Sequence, residues 1–307
     1  MATSVGQAQR DAAARLTESG SETPRLDAEV LLAHVLHVDR ATLLAGPEAG
    51  LGADHAREFE KLVERRARGE PVSYIRGLKE FYGLAFVVDS RALIPRPETE
   101  TLVDLALGRI SARLTAAPRE PGAPLTVWDV GTGSGAIAVA IAAESRRKGY
   151  GSDIQLRASD LSADALGLAI ENAVVHGVAD AIEFVTADLT DTAEPADSTE
   201  SLDSVDLLLA NLPYIPSAMV PTLPVAASFE PRSALDGGQD GLAIIRRLIA
   251  RLPAVLKEDG AALLEIGSDQ AGAVQALVAE LGNGWSSVVQ LDLAGSARVI
   301  EIGRGVD

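Results

Sequence analysis

Leu125-Thr126-Val127-Trp128-Asp129-Val130-Gly131-Thr132-Gly133-Ser134-Gly135 decides the fold. The first six residues are a mostly apolar run with one acidic residue near its end and read as a strand. Three glycines at alternate positions then allow a tight turn and a close approach of backbone to a ligand, and residues 136–147 continue as a helix whose N-terminus offers free N–H groups. A glycine turn between strand and helix is weak on its own, since a plain structural turn also fits it. With Ala136 following, it also satisfies the loose dinucleotide fingerprint.

The same alternation extends outward. Strands are expected at 154–159, 182–186 and 205–210, with a helix at 163–176. A helix at 242–256, a strand at 261–266 and a helix at 271–281 follow. Strands at 288–293 and 297–302 close the chain as a hairpin that brings in one antiparallel strand. Strands interleaved with helices give an α/β domain with a doubly wound, mostly parallel, seven-stranded sheet. Upstream the pattern changes. Up to about Gly69 it is helical without strands, three or four short helices, with Thr23 placed to cap a helix begun by Pro24 and an apolar stripe of Leu26, Val30, Leu31, His34 and Val35. From Val72 to Ile94 it is aromatic and alternating, with Gly83 punctuating a hairpin, and Pro95 and Pro97 hold off the next helix until Glu98. The expected organisation is therefore 1–70 helical, 71–96 a hairpin linker and hinge, and 97–307 the sheet domain.

Composition bounds the function. The chain has 307 residues, 47% of them hydrophobic, which is enough for a large core and a smaller one. There is no cysteine, hence no disulfide, thiolate nucleophile or cysteine-based zinc site. No apolar run reaches the length of a membrane span and Met1 to Gln9 carries no leader pattern, so the expected setting is cytoplasmic, without membrane association. Net charge is −17, unevenly spread. From Ala158 to Pro231 there is no Lys or Arg, so a nucleic-acid backbone finds no counter-charge in that window. Arg57, Lys61, Arg65, Arg66, Arg68, Arg76, Lys79, Arg91 and Arg96 instead concentrate basic residues ahead of the sheet domain, as solvated faces or a docking surface. Residues 188–206 hold seven acidic and no basic residues and read as a flexible surface loop.

In such a sheet, ligands bind beyond the carboxyl ends of the strands near the switch point. Asp160, ending the second strand, suits the two hydroxyls of a ribose, which NAD and S-adenosylmethionine both carry. Asp188 ends the third and suits an adenine amino group, with the Leu189 backbone beside it. Asn211-Leu212-Pro213-Tyr214, directly after the strand at 205–210, separates the two cofactors. The Asn211 side-chain carbonyl and the Leu212 backbone carbonyl together offer two acceptors for both hydrogens of a planar NH2 group. Hydride transfer has no use for that clamp, whereas alkylation of an amine or amide does. His34, His37, His55 and His176 lack carboxylate partners at metal spacing, and no metal is expected. Trp128 and Trp285 are read as core. Arg96 and Arg232, in proline-bounded turns, suit either cleft-shaping salt bridges or ligand contacts.

Seven stretches in order, Pro71–Tyr74, Glu80–Gly83, Leu93–Glu100, Asp129–Gly135, Asn211–Tyr214, Phe229–Leu235 and Leu264–Gly267, resemble the HemK/PrmC family of glutamine methyltransferases over nearly the whole chain. That family methylates the side-chain amide (N5) of glutamine in the Gly-Gly-Gln loop of class I peptide-chain release factors. The resemblance implies a Rossmann-like class I methyltransferase domain, S-adenosylmethionine as cofactor, and a small N-terminal helical bundle that docks the release factor. It implies cofactor contacts at Asp129, Gly131, Thr132, Gly133, Ser134, Gly135, Asp160, Asp188, Leu189 and Asn211, and substrate contacts at Asn211, Leu212, Pro213 and Tyr214. The family pattern is Asn-Pro-Pro-Tyr, so Leu212 is a departure. Leu212 supplies the same carbonyl and, preceding Pro213, is biased to the same extended backbone. Asn-Leu-Pro-Tyr also resembles rRNA adenine dimethyltransferases, which keeps an rRNA or DNA adenine methyltransferase as an alternative beside a ribosomal-protein glutamine methyltransferase; a dinucleotide oxidoreductase is remote.

Overall fold

The computed structural model describes residues 3–116, 124–192 and 204–305. The chain folds into two compact units, one comprising 1–78 with 223–229 and the other 79–222 with 230–307.

The first unit contains α1 (Val5–Glu18), α2 (Pro24–Leu36), α3 (Arg40–Ala45), α4 (Ala53–Ala67) and α5 (Val72–Arg76). Helix α2 starts with Pro24 at its first turn, but the Thr23 hydroxyl does not cap the backbone. It donates instead to Asp27 (2.9 Å), a buried carboxylate that also receives Ser21 Oγ and Arg66 Nε, both at 2.7 Å. A buried charge is stable only when paired in this way, and the pairing ties the first turn of α2 to α4. The buried side of α2 is Ala28, Leu31, Leu32 and Val35. It is rotated from the expected stripe, with Leu26 exposed and Val30 half-buried, because α2 packs against α1 and α4 together. Four of the expected basic residues are engaged locally: Arg57 with Asp54, Arg65 with Glu70, Arg66 with Asp27 and Arg68 with Glu64.

The second unit opens on a hairpin, β1 (Leu78–Phe81) and β2 (Leu84–Val87). Its two-residue loop, Tyr82-Gly83, has positive φ at both positions, as the mirror-image turns that suit strand twist require. A 3₁₀ turn at Pro97–Thr99 leads into α6 (Glu100–Ala116). Then come β3 (Leu125–Val130), α7 (Ala136–Arg147), β4 (Ile154–Asp160), α8 (Ala163–Val175), β5 (Ile182–Asp188), β6 (Asp191–Thr192) and β7 (Val205–Ala210). The chain ends with α9 (Ala243–Val255), β8 (Leu256–Glu265), α10 (Ala271–Ala279), β9 (Trp285–Leu291) and β10 (Ala297–Arg304).

Strand order is β6-β5-β4-β3-β7-β8-β10-β9. The seven expected strands are present, and two-residue β6 is an eighth that the sequence reading did not anticipate. Strands β5, β4, β3, β7 and β8 run parallel, while β10 inserts antiparallel between β8 and β9. The order reverses between β3 and β7, so the switch point lies between Val130 and Ala210, which pair in register. Every residue of β7 is buried, as a central parallel strand covered on both faces must be. Its one charge, Asp206, is held by Lys257, Thr126 and Arg113. Trp128 is fully buried with its indole N–H on Ser159 Oγ (2.8 Å), whereas Trp285 on edge strand β9 is only half-buried under Arg304. Of the expected acidic loop, 193–203 lies outside the described residues. Its ends are ordered structure, a tight β5–β6 hairpin and the start of β7. No helix is long and apolar enough to cross a membrane, and no His/Asp/Glu cluster suits a metal, among the described residues.

Candidate active site

The carboxyl ends of β3, β4, β5 and β7 carry the expected residues. Gly131, Gly133 and Gly135 all have positive φ, which a side chain would strain. Two of them are also crowded: a Cβ on Gly131 would stand 2.8 Å from Leu212 Cδ2, and one on Gly135 would stand 3.0 Å from Ala169 of α8. The turn is fixed from below. Gly131 and Thr132 N–H both donate to the Ser159 carbonyl at 2.8 Å, and Thr132 Oγ1 donates to Asp129 Oδ2 at 2.7 Å. The side chains of Asp129, Thr132 and Ser134 are buried, so these residues shape the turn and would meet a ligand through its backbone. Burial pushes the Asp129 carboxyl up to about 7, against the pull of the Thr132 hydroxyl and the Ala138 N–H; its Oδ1 lies buried without a closed hydrogen bond.

Asp160 joins the two sides of the site. Its Oδ2 accepts from Gly133 N–H and its Oδ1 from Ser162 N–H, each at 2.9 Å. Each oxygen therefore keeps a lone pair for an outside donor such as a ribose hydroxyl. At the end of β5, Asp188 pairs through Oδ2 with Arg247 (2.8 Å), and Asp191 of β6 pairs with Arg251. The sequence window without basic residues is thus supplied from α9, with both arginines engaged by carboxylates. Leu189 turns the β5–β6 hairpin at φ 59°, an uncommon conformation for a residue with a Cβ, and its backbone is set beside Asp188.

Across the switch point, Asn211 leaves the end of β7 with its Nδ2 donating to Thr99 Oγ1 at 3.0 Å. Leu212 is buried in the core cluster with Val130 and Leu242, its side chain over Gly131. The departure from the family pattern therefore points inward. Pro213 and Tyr214 are braced by residues that the sequence reading passed over. Gln270 Nε2 donates to the Tyr214 carbonyl (2.9 Å), while its Oε1 accepts Gly267 N–H. Gly237 and Gly241 lie so close that a Cβ on the first would stand 2.7 Å from the Pro213 carbonyl, and one on the second would overlap the Tyr214 carbonyl. The signal was there, in three glycines within Asp236-Gly237-Gly238-Gln239-Asp240-Gly241.

Two further braces come from the motifs around Pro95 and Pro231. Glu230 accepts from Ile94 N–H (3.1 Å) and pairs with Arg96; Arg232 pairs with Asp236. Both arginines are thus salt-bridged. Glu265, at the end of β8, is buried; burial pushes its carboxyl up to about 7, opposed by the nearby Thr99 hydroxyl and the charge of Arg298, and its Oε2 has no hydrogen-bond partner.

A reversed parallel sheet, a glycine turn into a helix at its switch point and acidic residues ending the two neighbouring strands define a class I S-adenosylmethionine-dependent methyltransferase domain. The catalytic domain of hMettl16, in complex with MAT2A 3′UTR hairpin 1, shares the fold with a TM-score of 0.54 at 12% identity, covering 86% of this chain and 85% of that one. Residues 7–77 match the family model of the PrmC N-terminal domain. The release factor glutamine methyltransferase of Moorella thermoacetica is 38% identical over 95% of both chains, and that of Neisseria gonorrhoeae is 39% identical over 91% of this chain and 93% of its own. The chain belongs to this family of release factor glutamine methyltransferases.

Proposed function

We propose that this protein transfers a methyl group from S-adenosylmethionine to the side-chain amide nitrogen of the glutamine in the Gly-Gly-Gln loop of class I release factors. The carrying observation is Asn211, a polar side chain at the end of a wholly buried strand, directly across the switch point from the glycine turn. The residues present fit the cofactor. The turn at Gly131, Gly133 and Gly135 holds positive φ and carries no side chain, which lets a ligand meet its backbone, and Asp160 keeps free lone pairs after holding Gly133 and Ser162. In this reading the turn from Gly131 to Gly135, shaped by Asp129, Thr132 and Ser134, receives the cofactor with Asp160, Asp188, Leu189 and Asn211. The helical segment 1–70 docks the release factor, 71–96 links it, and 97–307 carries the chemistry.

When bound, S-adenosylmethionine supplies an electrophilic methyl on a sulfonium. The protein's task is then orientation. An amide nitrogen is a poor nucleophile because its lone pair is conjugated with the carbonyl, and the Asn211 Oδ1 and Leu212 carbonyl would each accept one N–H of the substrate and set its plane. Holding the reacting groups in contact can contribute up to roughly 7–11 kcal/mol. No strong general base is needed, because the proton becomes acidic only once the nitrogen has been alkylated. Tyr214 packs against the substrate side chain.

Mass spectrometry of a Gly-Gly-Gln peptide incubated with protein and cofactor tests the reading, with one added methyl on the glutamine expected. Asn211→Ala should lower turnover at least about 100-fold while cofactor affinity changes little. Unchanged turnover in that variant defeats the clamp. Methylation of rRNA or a ribosomal protein instead would move the substrate assignment to the corresponding alternative.

A further inference from the structure

A two-acceptor clamp needs the Leu212 carbonyl at a set place beside Asn211, and the chain fixes that carbonyl from both ends. Upstream lies β7, whose last residue, Ala210, pairs with Val130 on one side and Leu264 on the other. Downstream, the peptide unit joining Tyr214 to Ile215 is bound at both of its polar groups. The Ile215 N–H donates to the Leu235 carbonyl (3.1 Å), and the Tyr214 carbonyl accepts from Gln270 Nε2 (2.9 Å). Between that unit and the Leu212 carbonyl the backbone turns only about ψ of Pro213 and φ and ψ of Tyr214, because the pyrrolidine ring locks the remaining φ.

Gln270 is buried, directly before α10. Its Oε1 accepts the Gly267 N–H (2.9 Å), so the two protons on Nε2 face the carbonyls of Tyr214 and Gly241, the second at 3.3 Å. All three partners are backbone groups of fixed polarity, which gives the amide a single orientation. Gly241 makes the room for it: a Cβ there would overlap the Tyr214 carbonyl and stand 2.8 Å from Nε2. Further on, the Gly237 N–H donates to the Ile215 carbonyl and the Ser217 N–H to the Gly238 carbonyl, both at 2.8 Å. Without Gln270 the stretch from Ile215 onward would stay in place, and the Tyr214–Ile215 unit would be held at one end and free to swivel.

We propose that Gln270 is the positioning residue of the substrate clamp, acting through the Tyr214 carbonyl to set where the Leu212 carbonyl meets the glutamine amide. The inference rests on the Asn211–Leu212 clamp proposed above. Gln270→Met keeps the length and loses the donor. Gln270→Glu, as a carboxylate, sets oxygen against two carbonyl oxygens; once protonated it can donate to one of them. Burial and those carbonyls favour its protonated form, so its activity should return towards acid.

The test is kinetics on the Gly-Gly-Gln peptide at saturating cofactor, with S-adenosylmethionine affinity measured by calorimetry, which also shows that each variant is folded. Gln270→Met should lower kcat about 10- to 100-fold and leave cofactor affinity within about twofold. For Gln270→Glu, kcat relative to wild type should rise about tenfold as pH falls from about 8 to about 6. A wild-type kcat in Gln270→Met, a loss of cofactor affinity as large as the loss in kcat, or a Gln270→Glu ratio that stays flat or falls towards acid overturns the proposal. Gln270→Glu keeps a donor in acid and so decides the matter even where Gln270→Met folds poorly. If Asn211→Ala is inactive while the Gln270 variants turn over normally, the positioning role alone has failed; if Asn211→Ala is active, the clamp itself has.

Discussion

At the scale of single residues, Leu212 shows why a departure from a family motif need not change chemistry. Its side chain is buried among Val130, Leu242 and Ile266 and rests on Gly131, while the group proposed for substrate is its carbonyl. Leu212→Pro should therefore retain both turnover and the glutamine substrate, with stability lowered by about 1–3 kcal/mol for the apolar volume removed. A switch of substrate to nucleic acid in that variant would show that Leu212 itself selects. Gly131→Ala should be worse on both counts, since the new methyl collides with Leu212 at a φ of 75° that disfavours any Cβ. Of this, the sequence offered Asn211 and the glycines, because they are polar or bare where packing wants neither. It was silent on which way Leu212 points, since a Leu in a loop reads the same facing solvent or core.

Among elements, the connections that hold the site are long-range hydrogen bonds of ordinary residues. Asn172 on α8 is buried and bridges three backbone groups: it accepts from Val87 N–H at 2.7 Å and donates to the carbonyls of Val87 (3.0 Å) and Ser134 (2.9 Å). One side chain thus fastens the β1–β2 hairpin and the glycine turn to the same helix. Asn172→Leu should destabilise the protein by about 2–4 kcal/mol, since it leaves those groups buried without partners, and should weaken cofactor binding through the loosened turn. Denaturant midpoints and calorimetry with S-adenosylhomocysteine check both; an unchanged midpoint contradicts the bridging role. Periodicity located the strands and most helices well, because apolar repeats of two and 3.6 residues are local properties. It could not show the bonds of Asn172 to Val87 and Ser134, 85 and 38 positions away, or those of Gln270 to Tyr214 and Gly241, 56 and 29 positions away. The β5–β6 hairpin escaped for a different reason: Leu189 at positive φ is the opposite of what turn preferences suggest.

For the whole molecule, two opposing sets of carboxylates determine how stability depends on pH. Glu144, hydrogen-bonded to Arg147, and Asp89, to Arg91, sit below their ordinary values, so what they contribute is present at neutral pH and lost only in acid. Asp129 and Glu265 run the other way. Burial raises each from an ordinary value near 4 to about 7, so the folded state holds two protons that the unfolded chain has released over that interval. Their contribution is complete below about pH 4 and is lost as pH rises towards 7. Self-repulsion at a net charge of −17 acts in the same direction. His34, half-buried and with its pKa lowered by burial first and by Arg76, opposes them just below pH 6.5. Without ligand, the unfolding free energy from urea titration should therefore fall between pH 5 and 8, by more than about 1 kcal/mol, since each unit over which one such proton is held only in the folded state is worth about 1.4 kcal/mol. Asp129→Asn and Glu265→Gln should each flatten that slope, whereas removing a surface carboxylate such as Glu60 should shift the curve without flattening it. A free energy that rises over the same interval, or two variants that keep the full slope, would mean that Asp129 and Glu265 are already ionised in the folded protein.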